Sequence, residues 1–405
     1  MADEVDALLA AMGGESPMPP PERAAPAPAH PAPPPPRGTE RLAGAGSELW
    51  NPAVRWSTGA VAGVAAGRAP SAHTDVLRQK AVRALQARFK GLCEQLNTGW
   101  DDFATNQNFE RWLLDRKTAA PGGDPLLPSA KAAADDPGLR KELFASARLQ
   151  RRAVQRFMAD LQKAVAKAHR TLAQLAGTGS QKRRVRVAPA AAPAAAAHEP
   201  AAPPRPVLGW DGAPMLQLKY GSSAALINQC HWDKLAAMHA LELGQAASAP
   251  AEKERFAERV FCLLVRYNAL QGGGVHGGGF QAAVPAEVFD VLLAEFGVCF
   301  ECFASPLNSR YPRFCSAFPD TDGPFGSVGS FFSFEPTEGS FEANPPFVPQ
   351  LILRFVRPVA CLCFAPLSEL CAQTAWRSTC TGCSRLRTAR RPAAAVVGIT
   401  LCASL

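Results

Sequence analysis

Val298-Cys-Phe-Glu-Cys-Phe303 runs straight into Ala304-Ser305-Pro306-Leu307-Asn308. Six largely apolar residues bounded by a Ser-Pro turn read as a strand buried on both faces. Val284–Phe296 before it has helical spacing, and a turn-rich stretch with Asp320, Asp322, Gly323 and Gly326 follows it. Residues 331–334, Phe-Phe-Ser-Phe, read as a further strand. Upstream, Met215–Tyr220 reads as a strand, and Leu226–Leu243 and Glu252–Leu270 read as helices. Strands alternating with helices predict an α/β sheet domain over 206–350.

Residues 73–177 read as all-helical. Thr74 or Asp75 is the expected cap of a first helix whose stripe holds Val82, Leu85, Phe89, Leu92 and Leu96. A second helix carries Phe109, Trp112 and Leu113. A third pattern runs unbroken from about Leu139 to Leu175, through Leu143, Phe144, Leu149, Val154, Phe157, Leu161, Val165 and Leu172. The rest is not core. Residues 1–72 are a Pro-rich tail expected to be disordered, with Pro33-Pro34-Pro35-Pro36 favouring polyproline II. Residues 178–205 are an Ala/Pro-rich linker with the basic run Lys182-Arg183-Arg184-Val185-Arg186. Residues 351–405, rich in Cys and Arg, show no period that continues the preceding domain.

The chain has 405 residues and a net charge of +8, from 43 Lys+Arg and 35 Asp+Glu. Those charges are segregated. Residues 73–187 hold 22 Lys+Arg against 11 Asp+Glu, 206–350 hold 8 against 15, and 351–405 hold 7 against 1. A basic block beside an acidic one suggests that the first meets a polyanion and the second holds chemistry. No window of about 20 apolar residues occurs, so no membrane span is expected. Met1 to Ala11 is acidic, unlike a secretory signal. An intracellular chain follows as the expectation, and its 12 cysteines are then thiols or metal ligands.

Several motifs carry less than they promise. Gly272-x-Gly274-x-x-Gly277 satisfies the dinucleotide fingerprint, but it sits in a glycine run and follows a helical pattern rather than a strand. Cys299 and Cys302 fall in a strand, where positions i and i+3 face opposite ways, so no shared metal is expected. Cys380-x-x-Cys383 lies in sequence without a readable pattern. Arg78 and Arg116 sit on the apolar stripes of their helices, where an arginine either snorkels or reaches a ligand.

Asn344-Pro345-Pro346-Phe347 carries more. Two prolines lock a rigid, donor-poor turn. The Asn344 and Pro345 carbonyls are then free to accept from the two N–H bonds of an exocyclic amine. Phe347 is placed to stack on the base.

In its context this tetrapeptide resembles the cap-specific adenosine N6-methyltransferase family, the phosphorylated-CTD-interacting factors. The resemblance rests on Glu301-Cys-Phe-Ala-Ser-Pro-Leu-Asn308, Phe314-Cys-Ser-Ala-Phe-Pro-Asp-Thr-Asp-Gly323, Phe325-Gly-Ser327 and Gly339-Ser-Phe-Glu-Ala-Asn-Pro-Pro-Phe347. Gly279-Phe-Gln-Ala-Ala283 and the Phe109–Lys117 run add to it. It implies a Rossmann-like class I methyltransferase domain preceded by an all-α domain. It implies S-adenosyl-L-methionine as cofactor, no metal, and a nuclear location. The implied substrate is the capped 5′ end of mRNA, methylated on N6 of the first, 2′-O-methylated adenosine. By motif match, Asn344, Pro345, Pro346 and Phe347 take the amine-binding and stacking roles. Ser305, Pro306, Asn308 and Asn344 border the cofactor, and Arg78 and Arg116 are the candidate contacts to cap phosphate.

Two departures shape the expectation. Family members with a WW module read phosphorylated RNA polymerase II tails, but Trp50 and Trp56 stand too close for its two-tryptophan pattern. The resemblance also implies a later helix and a strand ending in a Pro-Glu-Trp-Arg-Glu-like motif. No counterpart is read after Phe347, since Trp376-Arg377 lacks the flanks. An incomplete sheet is therefore expected. A non-catalytic RNA-binding scaffold of the same fold stands beside the enzyme reading, as does, more distantly, a methyltransferase of DNA or of protein glutamine.

Overall fold

The computed structural model describes residues 55–56, 70–119, 123–129, 131, 136–176, 184–190, 214–244, 249–271, 285–334, 336–338 and 340–355. The proline tail, the glycine run after residue 271, Trp50, Trp376-Arg377 and the pair Cys380/Cys383 lie outside them. The described chain mixes helix and sheet and is mostly helical.

Four helices open it: α1 (Ala72–Gln95), α2 (Asp102–Ala119), α3 (Pro137–Ala145) and α4 (Arg151–Ala176), preceded by the short strand β1 (Arg55–Trp56). Ser71 caps α1, its side chain accepting from Thr74 N at 3.3 Å. Thr74 and Asp75, the expected caps, are already inside the first turn. Ser71 wins because its extended backbone aims the hydroxyl at the free N–H groups of that turn. The single pattern from Leu139 to Leu175 breaks into α3 and α4. Arg148 sits at φ 51°, which no helix accommodates. The apolar stripe carries on across the break because α3 and α4 both face the same core.

That core is deep. Phe89 of α1 meets Phe109 of α2 at 5.6 Å and Phe157 of α4 at 5.2 Å, both edge-on. All three rings are completely buried, and each contributes about 1.5–3 kcal/mol.

A hairpin follows. β2 (Arg186–Pro189), β3 (Met215–Tyr220) and β4 (Ser223–Asn228) form an antiparallel sheet in that order. β4 corrects the reading of Leu226–Leu243 as helix: Leu226, Ile227 and Asn228 pair with β3, and α5 (Gln229–Leu243) starts after them. Gly221 makes the turn with φ 60°. β2 likewise takes Arg186 and three further residues of the expected linker into a sheet edge.

α6 (Pro250–Leu270) and α7 (Ala286–Phe296) lead to the second sheet. Its strands are β5 (Val298–Ala304), β6 (Phe314–Ser316) and β8 (Ser340–Glu342), in the order β6-β5-β8 and all parallel. β7 (Pro336–Glu338) pairs with β1 instead. Residues 331–334 do not form a strand: Phe331–Ser333 is a turn of 3₁₀ helix capped by Ser330. Its aromatic rings pack on the face of β5, with Phe303 and Phe331 4.8 Å apart. The last described residues, 349–355, are helical and bury Leu351 and Phe355. The sequence reading saw no such continuation.

The helices and the sheet share one hydrophobic cluster, which runs from Phe89 through Phe261 of α6 to Phe314 and Phe318 and on to Val348 and Leu351. A buried ion network crosses the same boundary. Arg266 of α6, 1% exposed, donates to Asp75 of α1 at 2.8 Å and to both oxygens of Asp320 at 2.9 and 2.8 Å.

Candidate functional site

Parallel strands send all their C-terminal ends to one edge. In this sheet that edge collects the segments after Ala304, Ser316 and Glu342. Open parallel sheets bind ligands at such edges, because the loops there leave a crevice lined with backbone polar groups.

The segment after β5 is a self-bonded turn. Asn308 Oδ1 accepts from Ser305 N at 2.7 Å and from Ser305 Oγ at 2.9 Å, and Ser309 N donates to Ser305 O at 2.9 Å. Lys234 of α5 fastens it from behind, donating to Leu307 O at 3.2 Å and Ser309 O at 2.7 Å. Burial there pushes the Lys234 ammonium down to about 8. Ser305 is buried, and the Asn308 carbonyl is occupied by its own loop. Ser305, Pro306 and Asn308 therefore shape the edge.

The segment after β6 meets the helices. Lys117, in the last turn of α2, donates to Ala317 O and stands 3.8 Å above the Phe318 ring. Burial, with Arg266 nearby, lowers its ammonium to about 7. Tyr267 donates to Asp322 at 2.6 Å, and burial raises that carboxyl to about 6.

The segment after β8 is the tetrapeptide. Ala343 and Pro345 are buried, Asn344 and Pro346 are half-buried, and the Phe347 ring is 49% exposed. Val348 N closes onto Pro346 O at 2.6 Å. Among the described residues, the Asn344 side chain has no hydrogen-bond partner. The turn is held at both ends. Behind it lies β8, in register with β5 from Val298↔Ser340 to Glu301↔Glu342. Ahead of it lies the 349–355 helical run, where Arg354 donates to Asp115 at 2.8 Å and to Thr118 at 2.5 Å, both on α2.

Beneath the turn two carboxyls stand side by side. Glu301 accepts from the backbone N–H of Arg310 at 2.6 Å and Tyr311 at 3.0 Å. Glu342, its register partner, is 3% exposed, and one of its oxygens is buried without a partner among the described residues. Burial first, and the neighbouring Glu301, raise the Glu342 carboxyl to about 8; burial raises Glu301 to about 7.

Thus Ser305, Pro306, Asn308 and Asn344–Phe347 come together at one edge. Arg78 and Arg116 do not join them. Arg78 binds Asp75 and Asp124, each at 2.8 Å. Arg116 is buried against Asp115 and Asp136. Both arginines have internal carboxylates as partners, so the structure gives them a role in tying helices together. Sequence reading missed Glu342, Lys117, Lys234 and Arg354. Arg354 left a signal: the apolar run around it has helical spacing, with Leu351 and Phe355 four apart.

The fold and this edge define a helical layer packed on a parallel sheet, with the half-buried Asn344 turn where the strands end. The family model described as Phosphorylated CTD interacting factor 1 WW domain matches residues 234–390. Two curated relatives, from Homo sapiens and Mus musculus, both bear the name mRNA (2'-O-methyladenosine-N(6)-)-methyltransferase. Each is 56% identical over 100 residues, 24% of this chain and 14% of the relative. Over the part that these matches cover, the resemblance to the phosphorylated-CTD-interacting factors holds, and the family is one of methyltransferases. The family-model match also runs past Phe347, where the sequence reading ended the resemblance.

Proposed function

We propose that this chain transfers a methyl group from S-adenosyl-L-methionine to N6 of the cap-adjacent 2′-O-methyladenosine of capped mRNA. The observation that carries the reading is the tetrapeptide. It is clamped between β8 and the helical run, with an Asn344 amide that no described residue bonds and an exposed Phe347 ring at the strand-end edge. The parallel β6-β5-β8 sheet supports a Rossmann-like class I domain, and the helices before it support an all-α layer packed on the same core.

The residues fit the cofactor. It offers an ammonium group and ribose hydroxyls, all able to donate, and the edge offers the half-buried Asn344 side chain and the backbone carbonyls where β5 and β8 end. When bound it supplies an activated methyl on a sulfonium, so no metal is required. The chain does the rest by alignment. Asn344 Oδ1 and Pro345 O accept the two N6 hydrogens and turn the nitrogen lone pair toward the methyl. Pro345 and Pro346 have no N–H to compete for those acceptors. Phe347 stacks on the adenine and keeps water from that face. The reading carries with it a nuclear location, and a polymerase tail as the partner that delivers new transcripts.

Labelled S-adenosylmethionine and capped adenosine-initiated RNA test it. The chain should label N6, and Asn344→Ala should abolish labelling while cap binding stays nearly intact. Absence of labelling at unchanged capped-RNA affinity would sink the enzyme reading and favour a binding scaffold.

A further inference from the structure

The outer face of α4 has a charge pattern that solubility does not explain. At about 100° per residue, Arg152, Arg156, Lys163, Lys167 and Arg170 fall within about 60° of one another. Val154, Phe157, Leu161, Val165 and Leu172, all buried, occupy the opposite side. All five cationic residues are exposed. They form a straight stripe about 27 Å long.

A helix that is merely soluble mixes signs, because Glu–Lys pairs four apart stabilise it and like pairs oppose it by about 0.2–0.5 kcal/mol each. α4 does the reverse. Arg152–Arg156 and Lys163–Lys167 are like pairs four apart. Its single acid, Asp160, is already met by Lys163 at 3.0 Å and by Arg88 of α1 at 3.8 Å. One flank of the stripe is small or neutral (Gln155, Ala159, Ala166 and Ala173), and the other carries Asp160 and, beside Arg156, a cavity of about 230 Å³ against Leu92 and Leu96 of α1. Among the described residues that cavity is confined to the Arg156 end, and the remaining four cations have no large apolar side chain beside them on the Gln/Ala flank. Cations repeated at regular spacing over about 27 Å suit a linear polyanion read through its phosphates.

We propose that the α4 stripe is a track for the RNA backbone downstream of the cap. The proposal rests on the capped-RNA reading above for the identity of its polyanion. The track lies on α4, one helix layer beyond α1, so it engages long RNA and leaves a short cap analogue untouched.

The test replaces all five residues with glutamine (R152Q, R156Q, K163Q, K167Q, R170Q), a good helix former, and compares binding by anisotropy. The probes are an uncapped RNA of about 20 nucleotides and a capped trinucleotide, titrated with salt. Five phosphate contacts to a single strand predict a log–log salt slope shallower by about 3.5 in the variant. For the long RNA that is a loss of about 100-fold on going from ~50 to ~200 mM salt that the wild type shows and the variant does not. The trinucleotide should bind both alike. Unchanged helix content by circular dichroism, and a milder effect from K163Q/K167Q alone, separate charge from misfolding. Equal slopes for wild type and variant overturn the track. So does a loss confined to an acidic phosphopeptide with RNA binding unchanged. A wild type that transfers no methyl group but shows the slope difference removes the proposed activity and supports the track.

Discussion

Glu342→Gln isolates one consequence of the buried carboxyl pair. The carboxyl is held near 8 in the fold against an ordinary 4.5, so the folded chain keeps a proton there that the unfolded chain gives up. Between those values the folded state binds more protons. Folding stability therefore falls as pH rises, by up to about 1.4 kcal/mol per pH unit. The whole interval sets a ceiling of about 5 kcal/mol; relaxation around a charged Glu342 brings the expected loss to about 2–3 kcal/mol. Glutamine has the same shape and no proton to lose, and its amide can donate toward Glu301. Urea midpoints for wild type and E342Q should nearly coincide at about pH 5 and diverge steadily toward about pH 8, the variant being the more stable. The divergence should stop once the wild-type group has ionised. A difference between the two that does not change with pH would mean that the carboxyl titrates as though exposed.

Two further outcomes follow from the frame around the site. Arg354→Ala removes the outer clamp of the tetrapeptide, with an expected cost of about 1–2 kcal/mol in urea unfolding. Methyl transfer should fall further than that cost accounts for, and transfer at wild-type rates would show that the clamp does not position the turn. Gly326→Ala meets two obstacles. Its φ is +101°, and the new Cβ would press into the carbonyl of Pro312, 3.3 Å from the carbonyl carbon. Thermal unfolding should show a loss of about 2 kcal/mol or more, and an unchanged midpoint would mean the loop after β5 has room to give.

The sequence showed the helices and β5 because their periods are long enough to outweigh local ambiguity. Phe89, Phe109 and Phe157 could be placed in a core before any coordinates. Short elements were less legible. Leu226 and Ile227 fit both the end of a strand and the start of a helix, and only pairing with β3 separates the two. Phe331–Phe334 has the composition of a strand, but the Ser330 hydroxyl caps a helical turn instead. The tetrapeptide could be read as a site because its chemistry is local. Glu342 could not, because its register opposite Glu301 exists only in the sheet. Arg78 and Arg116 showed a charge on an apolar stripe, but Asp124 and Asp136, which meet them, lie in loops and caps that no period reveals.

The clamp from Arg354 to Asp115 joins positions 239 residues apart. During synthesis α2 emerges long before its partner, so Asp115 waits through the making of both sheets. The Asn344–Phe347 turn then gains its outer support only after both sheets have been made. A nascent chain halted at Phe347 would carry every residue of the tetrapeptide and still lack the brace that fixes its shape.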